Sequence, residues 1–193
     1  MKVLVTYATR HGATAGIASR IADTLTASGH NASAVLVEDV TDIDGYQAVV
    51  LGSAAYMFHW LKPAVRFARH HHADLAARPV WLFSSGPIGP DQVDAQGHDV
   101  RISTRPKEWD ELVPLIRPRG EAVFFGAYDP TAPAIGLGET LMRHMPAAAK
   151  TLPAGDFRDW NAIENWATEI ATRAFCRHFG VSHGLSLLTC HIV

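Results

Sequence analysis

The chain has 193 residues, of which 48% are apolar and 19% charged, and a formal net charge of −2. That is enough chain for one domain with a sizeable core, short for two, and too apolar for a disordered segment. The near-neutral balance excludes a nucleic-acid backbone or an anionic lipid surface as the obvious partner, and no run of about 18 apolar residues is present to span a bilayer.

Short apolar runs alternate with helical patterns, which marks a parallel sheet covered by helices on both faces. A first strand is expected over 2–7. A helix follows over 13–28, where Ile17, Ile21 and Leu25 recur four apart, and Gly29 closes it. A second strand over 32–37 leads through the acidic segment 38–44 to a third over 48–53. Pro63 opens a helix running to about His72. The fourth strand, over 79–84, carries the continuous apolar run Val80-Trp81-Leu82-Phe83 and suits burial on both faces. The inserted segment 86–120 is polar in its first half, and a short helix is expected near 107–116. A fifth strand over 121–127 precedes a last helix over 160–175, with Asp159 as its N-cap. These elements make a three-layer α/β fold around a doubly wound, five-stranded parallel sheet of order 2-1-3-4-5. The domain is expected over 1–174, with an apolar C-terminal extension over 175–193. That tail suits packing on its own domain, covering a sheet edge, or docking a second subunit in a homodimer.

The first strand hands to its helix through Tyr7-Ala8-Thr9-Arg10-His11-Gly12-Ala13-Thr14. The backbone N–H groups at a helix N-terminus have no intrahelical partner, and the helix dipole favours an anion there. Hydroxyls at Thr9 and Thr14 add donors, Gly12 permits close backbone approach, and the loop as a whole suits a phosphate. Arg10 and His11 suit either a phosphate, an anionic substrate group or plain solvation. The loop has no Walker lysine and no Gly-x-Gly-x-x-Gly, which argues against nucleoside triphosphates and dinucleotides. The consecutive His70, His71 and His72 point in three directions on a helix, so no metal is expected there. Cys176 and Cys190 are too few for a disulfide framework, and the amino-terminus lacks a secretory pattern, so a cytoplasmic location is expected.

Tyr-x-Thr-x-x-Gly-x-Thr-x-x-x-Ala, from Tyr7 to Ala18, resembles the flavodoxin signature. The loop Thr9 to Thr14 is similar to that of menaquinone-dependent protoporphyrinogen oxidases, a flavodoxin-domain family. The resemblance continues in Val49-Val50-Leu51-Gly52-Ser53-Ala54-Ala55-Tyr56 and in Asp156-Phe157-Arg158-Asp159-Trp160. It implies FMN as cofactor, with Thr9, Arg10, His11, Gly12, Ala13 and Thr14 around its phosphate. It further implies ring contacts from the loop after the third strand, holding Ala54, Ala55, Tyr56, Met57, Phe58 and Trp60. Tyr56 and Trp60 are the stacking candidates, and the alternative for Phe58 and Trp60 is packing the start of the next helix, which is expected of one of the two. The loop after the fourth strand, with Ser84, Ser85, Gly86 and Pro87, is implied at the ring's polar edge.

The expected function is that of an FMN-dependent oxidoreductase passing electrons between a reduced organic substrate and a quinone or other small-molecule acceptor, as the protoporphyrinogen oxidases do. No acid–base residue stands out as catalytic. The insert 86–120 departs from that family's pattern. The alternatives are a flavodoxin-type electron carrier without its own substrate, and a flavin-free binding module on the same scaffold.

Overall fold

Alternation along the first strand sets up both layers of the molecule. β1 (Lys2–Ala8) directs Val3 and Val5 into one core cluster and Leu4 and Ala8 into the other, each at most 1% exposed. The computed structural model describes residues 1–133, 135 and 153–175. Beside β1 lie β2 (Asn31–Leu36) and β3 (Ala48–Tyr56), with β4 (His59–Trp60), β5 (Val80–Ser85) and β6 (Gly120–Phe124) following in the chain. The parallel order is β2-β1-β3-β5-β6, which is the expected doubly wound order of the five main strands.

One face is covered by α1 (Ala13–Ala27) and the final helix, labelled α6 (Trp160–Phe175). The apolar stripe Ile17, Ile21, Leu25 of α1 meets Ile163, Ala167 and Ile170 of α6 over Val50, Trp81 and Phe83. Each fully buried side chain of this kind contributes about 1.5–3 kcal/mol. Gly29, at φ 86°, ends α1: its N–H donates to the Thr26 carbonyl and the His30 N–H to the Leu25 carbonyl, a paired C-terminal closure. Asp159 caps α6 as expected, accepting from the Ala162 N–H at 3.0 Å. At Gly52 the Phe83 ring lies so close that a Cβ would overlap it, so only glycine fits.

The other face carries α2 (Lys62–His70), α3 (His72–Ala76) and α5 (Trp109–Ile116), while the one-turn α4 (Val100–Ser103) buries no residue and lies by β6. Trp60, Phe67, Leu75, Trp109, Leu112 and Ile116 pack there on Leu51 and Leu82. The expected helix 63–72 is interrupted at His71, whose ring turns against Phe67 and His70.

Two strands differ from expectation. β3 runs three residues past Ser53, because β4 folds back on it with Ala55 opposite Trp60 and Tyr56 opposite His59. The fifth strand stops at Phe124 rather than continuing through Ala127. Hydrogen bonds from Gly86 N–H to Phe124 and from Gly126 N–H to Pro87 divert the chain. Ala127 and Tyr128 instead form β7 (Ala127–Tyr128), antiparallel to β8 (Gly155–Asp156). The tail beyond Phe175, with Cys176 and Cys190, lies outside the described residues.

Candidate functional site

Ala8, Ser53 and Ser84 stand in one cross-strand row near the carboxyl ends of β1, β3 and β5. The three candidate loops therefore leave the sheet side by side, at the crevice where the strand order reverses.

The first loop is a short turn between β1 and α1. Gly12 is the N-cap of α1 at φ 83° and ψ −9°, a left-handed conformation that favours glycine. Its N–H donates to Thr9 Oγ1 at 3.1 Å, which tightens the turn. No side chain among the described residues caps α1, and no acidic residue lies in its first turn. The N–H groups opening α1 are thus left to an incoming acceptor, with the positive end of the dipole behind them. Thr14 sits in that first turn, fully buried, and its Oγ1 has no hydrogen-bond partner among the described residues. A buried orphan hydroxyl costs about 1–3 kcal/mol, a cost that a bound anion accepting its proton would remove. A Cβ on Gly12 would meet no protein atom within 4 Å, so it would project into open space beside the turn. Arg10 and His11 are exposed, and the Arg10 guanidinium lies 4.7 Å from the Tyr56 ring centroid. This cation–π contact joins the first loop to the second.

The second loop is a two-residue hairpin. Met57 and Phe58 have φ of 50° and 66°, so both lie in the left-handed region of a type I′ turn. For residues with a Cβ this costs about 1–2 kcal/mol each. Nevertheless Tyr56, Met57 and Phe58 are 39%, 79% and 47% exposed. Strain and exposed apolar surface meet at the crevice's edge. Ala54 is buried, and Ala55 is half-buried against Gly86 of the third loop. Trp60 corrects the expectation for ring stacking. It is 3% exposed and meets Trp109 edge-to-face with centroids 5.5 Å apart, so its ring belongs to the core. Tyr56 is left as the stacking candidate.

The third loop is more inward than expected. Ser84 and Ser85 are buried; Ser84 Oγ has no partner among the described residues, and Ser85 Oγ lies near Gly126. Of the loop expected at the ring's polar edge, the Gly86 N–H donates to the Phe124 carbonyl and the Pro87 carbonyl accepts from the Gly126 N–H. This loop braces the crevice from behind, because two backbone bonds tie it to the end of β6.

Two residues were not singled out in the sequence. Arg158 is held by Asp156 through two bonds of 2.7 and 2.6 Å, lies 4.4 Å from the Trp160 ring centroid, and donates from Nη1 to the Ala13 carbonyl at 3.2 Å. It brings a second cation to the first turn of α1. Its motif, Asp156 to Trp160, was visible, but its reach to Ala13 was not. Glu108, just before α5, accepts from the Trp60 N–H at 2.9 Å and pairs with His59 Nδ1 at 2.8 Å. Burial is the largest influence and opposes its ionisation, but these two bonds, its own backbone N–H and the His59 charge together hold its carboxyl below the ordinary glutamate range. Among the described residues, no three His, Cys, Asp or Glu side chains are placed to hold a metal ion, and no helix is long and apolar enough to cross a membrane.

A doubly wound α/β domain with an uncapped, anion-ready turn at its switch point is the class of protein that binds a phosphorylated cofactor there. Residues 4–132 match the flavodoxin domain family, and the chain belongs to that family. Its members are FMN-binding flavoproteins of electron transfer, and the uncapped turn with its orphan Thr14 hydroxyl fits the FMN phosphate. Solved structures agree on the fold. A flavodoxin from the domain Archaea is 14% identical, with 90% of this chain and 99% of that one covered at a TM-score of 0.53. Flavodoxin 1 from Bacillus cereus is 12% identical, with 89% and 98% covered at 0.56. Rubredoxin oxygen:oxidoreductase from Desulfovibrio gigas is 12% identical over 92% of this chain and 37% of that one, at 0.58. No curated protein sequence matches the chain.

Proposed function

We propose that the chain is an FMN-dependent oxidoreductase that takes two electrons and two protons from a reduced organic substrate and delivers them to a quinone or a similar small acceptor. The observation that carries this is the strained Tyr56–Phe58 hairpin, which keeps exposed apolar surface beside an anion-ready turn. In this assignment the opening N–H groups of α1, Thr9 and the Thr14 hydroxyl hold the phosphate, with Arg10 and Arg158 supplying positive charge around it and His11 a further polar contact. Tyr56 stacks on the ring, Met57 and Phe58 exclude water from its edge, and the 84–87 loop supports the wall behind. Bound FMN supplies the redox centre.

An apolar rim favours a planar, apolar reactant over a charged protein, since a net charge of −2 gives little long-range steering. The loop resemblance at Thr9 to Thr14 supports a protoporphyrinogen oxidase-like chemistry, and a cytoplasmic setting accords with it. The flavin domain would span 1–174, with the tail 175–193 as an extension or a dimer contact. Stopped-flow mixing of the reduced, flavin-loaded protein with a soluble menaquinone analogue tests this. Saturable reoxidation, faster than that of free reduced FMN, is expected. A rate no greater than that of free FMN would sink the assignment.

A further inference from the structure

The Met57–Phe58 turn does not hold itself. It is strained, its side chains face solvent, and its ladder has only two residue pairs, too few for a stable hairpin alone. Support comes from the insert between β5 and β6. The Lys107 N–H donates to the Phe58 carbonyl at 2.9 Å, and the Glu108 carboxylate takes up the Trp60 N–H and His59 Nδ1. Trp109 then receives the Trp60 ring. Three consecutive insert residues thus grip three consecutive hairpin residues. Glu108 is the centre of the grip, and its side chain is only 17% exposed. Hydrogen bonds to a charged group at such a site are roughly twice as strong as neutral ones.

We infer that Glu108 is a positioning residue for the flavin ring: its carboxylate locks the left-handed turn and so sets where Tyr56, Met57 and Phe58 stand. This rests on the flavin assignment above. Glu108 touches no cofactor atom in this account. Its carboxylate bonds are made to the hairpin, at the Trp60 N–H and His59 Nδ1, so removing the side chain acts on the ring wall. The insert, on this view, tunes the ring site from outside.

The test is titration of the full chain, stripped of flavin, with FMN and with riboflavin, which lacks the phosphate. Glu108→Ala is expected to weaken both ligands by the same factor, about 10-fold or more, as the loss of two charge-assisted bonds allows. Glu108→Gln keeps one acceptor for the Trp60 N–H and is expected to fall between the two. The visible absorption bands of the bound flavin should shift in both variants. Wild-type affinity and an unshifted spectrum in both variants would overturn the inference, as would a loss confined to FMN. Should Glu108→Ala fail to fold, Glu108→Gln and His59→Ala decide on the same criteria. A wild-type chain that binds neither ligand removes the flavin assignment itself, and this inference with it.

Discussion

The turn proposed for the phosphate and the hairpin proposed for the ring rise from neighbouring strands of one sheet, yet they are built in opposite ways. The turn is local. Strand, Gly12 and helix follow one another within a dozen residues, and its chemistry comes from the helix end itself. The hairpin is held from a distance, with Glu108 and Lys107 reaching back about 50 positions to fix Phe58, His59 and Trp60. A flavin that touches both therefore reads one surface set by local backbone geometry and one set by tertiary contacts. Substitutions should separate the two.

The largest expected effect falls on the shared foundation. Trp109 is 1% exposed and supports Trp60, so Trp109→Ala should lower stability by about 3–5 kcal/mol in urea unfolding. A loss below about 1 kcal/mol would mean that the hairpin does not lean on α5. Next comes the local surface. Gly12→Val strains a backbone at φ 83° and puts carbon into the open side of the turn. It should cut FMN affinity by on the order of 100-fold, the equivalent of two lost charge-assisted bonds, with riboflavin affinity nearly unchanged. An equal loss for both ligands would make the turn part of the ring wall instead.

Thr14→Val sharpens the same contrast. It removes a buried hydroxyl that has no protein partner, so the flavin-free protein should be as stable or slightly more stable, while FMN binds about 5–20-fold more weakly. Destabilisation without loss of affinity would show that the hydroxyl serves the fold.

The smallest effect is acid sensitivity. Burial, aided by the nearby amino-terminus, lowers the His30 imidazole below its ordinary 6.5. The unfolded chain then takes up this proton at a higher pH than the folded one. Stability present above pH 6.5 should decline as the pH falls towards the lowered value. Glu108 adds a second loss lower down: its hydrogen bonds depress its carboxyl, so their stabilisation is complete above the ordinary 4.5 and disappears as the pH falls through the depressed value. Thermal melts of wild type and His30→Gln should differ in slope as the pH falls below the ordinary 6.5. Parallel curves would remove His30 from the account.

What was legible in the chain follows the same division. β1, its turn and α1 were readable because apolar spacing, Gly12 and the flanking threonines lie side by side, and the five main strands and their order followed from alternating periods. The hairpin was hidden. Met57-Phe58 carries none of the Asn or Gly that mark a type I′ turn, so β3 was expected to stop at Ser53. Trp60 offered the same aromatic signal as Tyr56, and only Trp109, 49 positions away, decides that one is core and the other exposed. The two-residue strands β7 and β8 are too short to carry any period, and Arg158 reaches Ala13 across 145 positions. Gly86 and Pro87 looked available because their partners at and just past the end of β6 lie about 40 positions downstream.

The central claim is that α1 opens onto a phosphate. Calorimetric titration of flavin-free wild-type protein with FMN and with riboflavin, under one buffer and salt condition, tests it directly. FMN binding tighter by about 100-fold or more, with an added favourable enthalpy from the phosphate bonds, is the predicted result. Equal affinities for the two flavins would contradict it.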